Sequence, residues 1–105
     1  MKYLLLCVLL GCSATPTSTG IAAVSCPTAG STLTYASFGS VFVSDNCLSC
    51  HASKERPTLA TQGDVQANRA RILQVAVYTD SMPQNGDLTV AEREMFGEWL
   101  ACGAP

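Results

Sequence analysis

Cys47-Leu48-Ser49-Cys50-His51 is the stretch that decides how this 105-residue chain is read. Two thiols three positions apart lie on one side of a single turn, and an imidazole follows at once. At this spacing two cysteines can add to the two vinyl groups of one porphyrin while the adjacent histidine reaches the iron from the proximal side, the C-x-x-C-H pattern of c-type haem attachment. His51 is the one histidine of the chain, and histidine is the usual protein ligand of haem iron. Two other chemistries use such a cysteine pair. A thioredoxin-like dithiol opens a helix after a strand in a βαβ unit, and no such pattern precedes Cys47. A tetrahedral zinc site needs four ligands, and no second C-x-x-C or H-x-x-x-H completes Cys47, Cys50 and His51.

The first residues read as an export signal over 1–11. Lys2 is a short basic region, Tyr3 to Leu10 is an apolar stretch of about eight residues, and Gly11 is small. Eight apolar residues are too few to span a bilayer, which takes roughly 20 in a helix. Leu9-Leu10-Gly11-Cys12 resembles the lipobox of bacterial lipoproteins, in which cleavage precedes the cysteine and its sulfur receives a diacylglyceryl group. The other reading is an ordinary cleaved signal with an incidental cysteine. Ser13, not aspartate, follows Cys12, which in bacterial lipoproteins looks like an outer-membrane address. The expected location is therefore the periplasmic side of the outer membrane, held there by lipidated Cys12.

Export and the haem motif support each other, because c-type haem is attached outside the bacterial cytoplasm, where disulfides also persist. They account for all six cysteines. Cys7 leaves with the signal, Cys12 is lipidated, Cys47 and Cys50 hold haem, and Cys26 and Cys102 remain as a pair expected to form a disulfide. Closing a loop of about 75 residues is worth roughly 4 kcal/mol by chain-entropy reasoning.

From Cys12 onward the chain carries five basic residues (Lys54, Arg56, Arg69, Arg71, Arg93) against eight acidic ones, a formal charge of −3. No basic patch for nucleic acid exists. Nor is there a ring of lysines to steer a strongly acidic partner, so docking to a redox donor or acceptor protein is expected to be weak and partly apolar.

Residues 12–25 are rich in Ser, Thr, Ala, Pro and Gly, with Ile21 and Val24 as the sizeable apolar groups. This composition predicts a flexible tether. A single domain, 26–105, follows, with no internal repeat. Tyr35, Phe38, Val41 and Phe42 recur with the period of one helical face and place an amphipathic helix before the haem motif. Val65 to Tyr78 predicts a second helix with Ile72, Leu73, Val75 and Ala76 as its buried candidates. Asp80 to Asp87 is turn-rich. Thr89-Val90-Ala91-Glu92 has the form of a capping box, and Met95, Phe96, Trp99 and Leu100 form the apolar stripe of a terminal helix closed by Gly103 and Pro105. About 80 folded residues with few aromatics make a meagre core. A macrocycle wedged between helices would complete it, so the chain without haem is expected to be largely unfolded.

With the single histidine on the proximal side, a bis-histidine haem cannot form within one chain. The Met82 thioether is the best candidate for the opposite face, and methionine ligation raises the potential, as suits an electron carrier. Pro83 fixes φ and removes a donor, which helps a loop hold the sulfur still. Met95 is the competitor, but it shares a helical face with Trp99 and reads as packing. The other reading of Met82 is a surface loop residue.

The order helix, C-x-x-C-H, Pro57-Thr58-Leu59, Met82-Pro83 and C-terminal aromatic helix resembles small class I monohaem cytochromes c. The ending from Leu88-Thr89 through Glu92 to Trp99-Leu100-Ala101-Cys102-Gly103-Ala104-Pro105 looks like a subgroup of bacterial secreted cytochrome c domains. The resemblance implies an all-α fold of three to four helices around one covalent haem c, with Cys47 and Cys50 as attachment points and His51 and Met82 as iron ligands. It implies single-electron transfer with no catalysis. It also implies that the carbonyl of Pro57 accepts a hydrogen bond from the proximal imidazole. Here Pro57 follows the histidine after only six residues and without the usual preceding glycine. Motif alone does not assign the propionate partners, although Arg56, Arg69, Arg71, Tyr78 and Trp99 are able to donate. The rival expectation is a haem enzyme, or a sensor of peroxide or a diatomic gas, with an open sixth position. A fixed electron-entry subunit of a larger periplasmic oxidoreductase is a third.

Overall fold

The computed structural model describes residues 17–84 and 88–105. The expected signal 1–11, Cys12 and the first part of the expected tether lie outside the described residues. Those described are helical, with one isolated antiparallel bridge, Ser18 to Thr79, and no strand. None of their helices is long and apolar enough to cross a membrane. This agrees with the all-α expectation at the level of secondary structure.

The helices follow one another in three stretches. A π-helical turn, π1 (Tyr35–Gly39), runs into α1 (Ser40–Asn46), and α2 (Leu48–His51) continues after a break at Cys47. The second stretch is α3 (Gln62–Ala67), α4 (Arg69–Ile72) and a second π turn, π2 (Leu73–Val77). The third is α5 (Val90–Ala101). Each stretch starts at a threonine whose hydroxyl accepts the free amide three residues on while that residue's side chain caps in return: Thr34 with Ser37, Thr61 with Asp64, and Thr89 with Glu92. Such reciprocal caps satisfy two orphan donors of the first turn. The second stretch thus begins at Gln62, earlier than the apolar periodicity from Val65 suggests.

The core gathers where the first and last stretches cross. Phe38 stacks on Phe42 with ring centroids 5.1 Å apart, Phe42 meets Phe96 at 4.4 Å, and Phe38 meets Trp99 edge-on at 5.9 Å. Gly39 lets the crossing close: a Cβ there would collide with the Trp99 indole. Val65, Val77, Phe96, Trp99 and Leu100 are the largest fully buried side chains.

The end of α5 reverses through Gly103, whose φ of +101° suits a residue without Cβ. The Ala104 amide donates to Trp99 O and the Gly103 amide to Leu100 O, the paired bonds of a Schellman closure. The reversal buries Ala104, whose carbonyl accepts from Gln62 Nε2 (3.1 Å) and Gln66 Nε2 (3.2 Å). Pro105 O accepts from the Tyr35 amide and from Trp99 Nε1. The last two residues therefore tie all three helical stretches together.

Residues 17–25 differ from the tether expected over 12–25. They lie along the domain as a strap. The Thr19 amide donates to Tyr78 O (3.0 Å), the Asp80 amide donates to Thr17 O, and the Thr17 amide donates to Asp80 Oδ1 (2.8 Å). Thr19 Oγ1 donates to Val77 O, and the Val24 amide donates to the Tyr78 hydroxyl. Val24 packs above Gly97 beside Val77. A strap of small polar residues gains order here through backbone hydrogen bonds, which composition does not report. Just beyond it Cys26 joins Cys102, with Cα atoms 4.7 Å apart, as expected for that pair.

The apolar stripe expected on α5 is shifted. Met95 is 49% exposed, whereas Arg93 is 2% exposed. Buried positions 93, 96, 97 and 100 follow the i, i+3, i+4, i+7 spacing of one helical face, and Met95 lies off that face.

Candidate functional site

Cys47 interrupts the first helical stretch with φ −125° and ψ −36°. The chain restarts at once, since the Cys50 and His51 amides both donate to Cys47 O (3.3 and 2.9 Å). One short helical turn thereby carries both thiols and the imidazole. Both cysteines are free thiols, Cys47 half-buried and Cys50 exposed. Burial pushes the Cys47 thiol up to about 11, so it is protonated at neutral pH.

His51 Nδ1 lies 2.8 Å from Pro57 O. A carbonyl only accepts, so Nδ1 carries the proton and, in the neutral ring, Nε2 keeps its lone pair free. The Leu59 amide donates back to His51 O (2.8 Å), closing the segment that presents Pro57 to the ring. The short spacing between His51 and Pro57 is therefore compatible with this hydrogen bond.

These residues line a cleft of about 290 Å³ together with Met82 and Pro83. Leu59, Ile72, Val75 and Ala76 supply apolar lining, while Glu55, Arg56 and Arg71, all exposed, contribute its charged groups. The Met82 amide donates to Val75 O (2.7 Å) and Ser81 Oγ donates to the same carbonyl, so the loop bearing Met82 is fastened to π2. The Arg56–Pro57 and Met82–Pro83 peptide bonds are both cis.

The structure brings Cys47, Cys50, His51, Pro57 and Met82 to one cleft, with Arg56 and Arg71. It does not bring Arg69, Tyr78, Trp99 or Met95 there. Arg69 donates to Gln66 O and Leu100 O, Trp99 Nε1 donates to Pro105 O, and the Tyr78 hydroxyl accepts from the strap. Arg93, which the sequence analysis only counted among the basic residues, stands behind the cleft with Nη1 donating to Ala76 O and Met82 O, both at 2.8 Å. Its one sequence signal is its place three residues before Phe96 and seven before Leu100, against which its charge reads as solvent-facing.

Among the described residues no group of three or more His, Cys, Asp or Glu side chains is placed to hold a metal ion. Two free thiols three positions apart, one imidazole held at Nδ1 by Pro57 O, a thioether and an apolar cleft are instead a donor set that fits a covalently held haem. Comparison with known protein families, curated proteins and solved structures gives no match for this chain.

Proposed function

We propose that this chain is an exported monohaem c-type cytochrome that passes single electrons between a donor and an acceptor protein and has no substrate chemistry of its own. The observation that carries the reading is the sharing of one apolar cleft by Cys47, Cys50, His51 and Met82, residues separated by up to 35 positions in sequence.

When bound, haem iron supplies reversible one-electron exchange between its ferric and ferrous forms. The Cys47 and Cys50 thiols would hold the haem, each adding its S–H across one vinyl double bond, so that a C–S bond and a C–H bond form and no oxidant is needed. Pro57 O holds the His51 ring through Nδ1, fixing its orientation and raising the basicity of Nε2 toward iron. Met82, a thioether in place of a second imidazole, would hold the iron as a ligand that favours the ferrous state and raises the potential. Leu59, Ile72, Val75 and Ala76 keep water from the site, which tunes the potential in the same way. Arg56 and Arg71 supply guanidinium donors suited to the haem carboxylates.

Donor and acceptor dock on a surface without a strong single-sign field, and the association depends only weakly on salt. Cys12, if cleaved and lipidated as its lipobox-like surroundings suggest, would tether the protein to the periplasmic face of the outer membrane.

The test is covalent attachment. The chain is expressed in a host with a cytochrome c maturation system, and its intact mass is taken after acid–acetone extraction. One haem that survives extraction, and is lost in the Cys47→Ser/Cys50→Ser double variant, is the expected result. Haem that extracts fully, or no haem at all, overturns the proposal.

A further inference from the structure

We infer that Arg93 is the positioning residue for Met82, holding the sulfur ligand in place from behind the cleft; this rests on the reading of Met82 as the iron ligand. Arg93 is almost fully buried, and a guanidinium is costly to take out of water unless its donors are matched. Its partners are two backbone carbonyls, Ala76 O on π2 and Met82 O on the ligand loop. Among the described residues no buried side-chain polar atom lacks a hydrogen-bond partner.

The consequence falls on Met82. Its amide is fastened to Val75 O and its carbonyl to Arg93 Nη1, so π2 and α5 hold the two backbone polar groups of the same residue. A methionine side chain has three rotatable bonds and many rotamers of similar energy. The aim of its sulfur therefore depends on the backbone it hangs from. A hydrogen bond from a charged donor is about twice as strong as a neutral one, and placing that donor on α5 links the ligand loop to the best-packed helix of the domain.

A purely structural arginine would tie α5 to π2 through Ala76 O and leave Met82 indifferent. Competition for the sixth position separates the two roles, because the apparent affinity of an added ligand rises with the fraction of molecules in which Met82 has let go. The experiment titrates imidazole into the ferric, haem-loaded protein and follows the near-infrared sulfur-to-iron band for wild type, Arg93→Met, Arg93→Lys and Val65→Ala. Val65→Ala is a core truncation on α3 that lowers the melting temperature without touching the ligand loop.

Arg93→Met is expected to raise the apparent imidazole affinity about tenfold or more. Arg93→Lys, with a shorter side chain and no planar fork, is expected to raise it about two- to threefold. Val65→Ala leaves it unchanged at a comparable loss of melting temperature. Should Arg93→Met give no folded protein, Arg93→Lys against Val65→Ala decides the question. Imidazole affinities in the arginine variants no different from that of Val65→Ala overturn the inference while leaving Met82 ligation intact. Absence of a Met82-dependent band in the wild type overturns the reading of Met82 and the inference with it.

Discussion

Gly39→Ala puts two effects of opposite sign against each other at the crossing of the first and last helical stretches. Gly39 has φ −63° and ψ −43°, ordinary helical geometry that alanine adopts without strain. Propensity alone predicts a gain of about 1 kcal/mol on replacing a helical glycine by alanine. Contact predicts the reverse. The added Cβ would strike the six-membered ring of Trp99, which is fully buried, packed by Tyr35, Phe38 and Phe96, and held at Nε1 by Pro105 O. The indole has nowhere to turn, so the overpacking falls at the upper end of its usual range, about 3 kcal/mol. The net is a loss of about 2 kcal/mol, which for a domain of this size lowers the melting temperature by about 8–16 °C. Far-ultraviolet circular dichroism of the haem-loaded protein, melted beside wild type, reads this directly. A melting temperature equal to or above wild type would show that propensity wins, and would refute the close helix crossing on which the core is built.

Two further predictions concern the strap and its anchor. The Cys26→Ser/Cys102→Ser variant releases a loop spanning 76 positions and should lose about 4 kcal/mol, read as a lower urea midpoint; an unchanged midpoint contradicts the disulfide's role. Val24→Asp sets an unpaired carboxylate against Gly97 and Val77 and should cost about 2 kcal/mol while opening residues 17–25 to limited proteolysis. A strap equally resistant in the variant and in wild type would contradict its docking through Val24.

Local chemistry was the legible part. Cys47, Cys50 and His51 share one turn of chain, so their clustering is read from five residues, and the Thr89–Glu92 cap announces α5 within four. Met82, expected opposite His51, lines the same cleft as His51 in the structure. The strap was not legible, because backbone hydrogen bonds to Tyr78 and Asp80 leave no trace in the composition of residues 17–25. The cap at Thr61 and Asp64 was missed because apolar periodicity begins only at Val65. Arg93 was hidden by its own chemistry: a charged side chain on an amphipathic helix reads as solvent-facing, and only carbonyls contributed by Ala76 and Met82 make its burial tolerable. Met95 was misread for the mirror reason, an apolar residue placed on the solvent side of α5.

The central claim is that His51 and Met82 ligate one haem iron from opposite sides in an electron carrier. It is tested most directly by the absorption spectrum of the haem-loaded protein, oxidised and reduced, beside Met82→Ala. The account predicts a low-spin spectrum with a near-infrared sulfur-to-iron band that disappears in the variant, and no binding of carbon monoxide to the ferrous wild type. A high-spin spectrum unchanged by Met82→Ala, with ready carbon monoxide binding, would contradict it and put the open-site haem enzyme or sensor in its place.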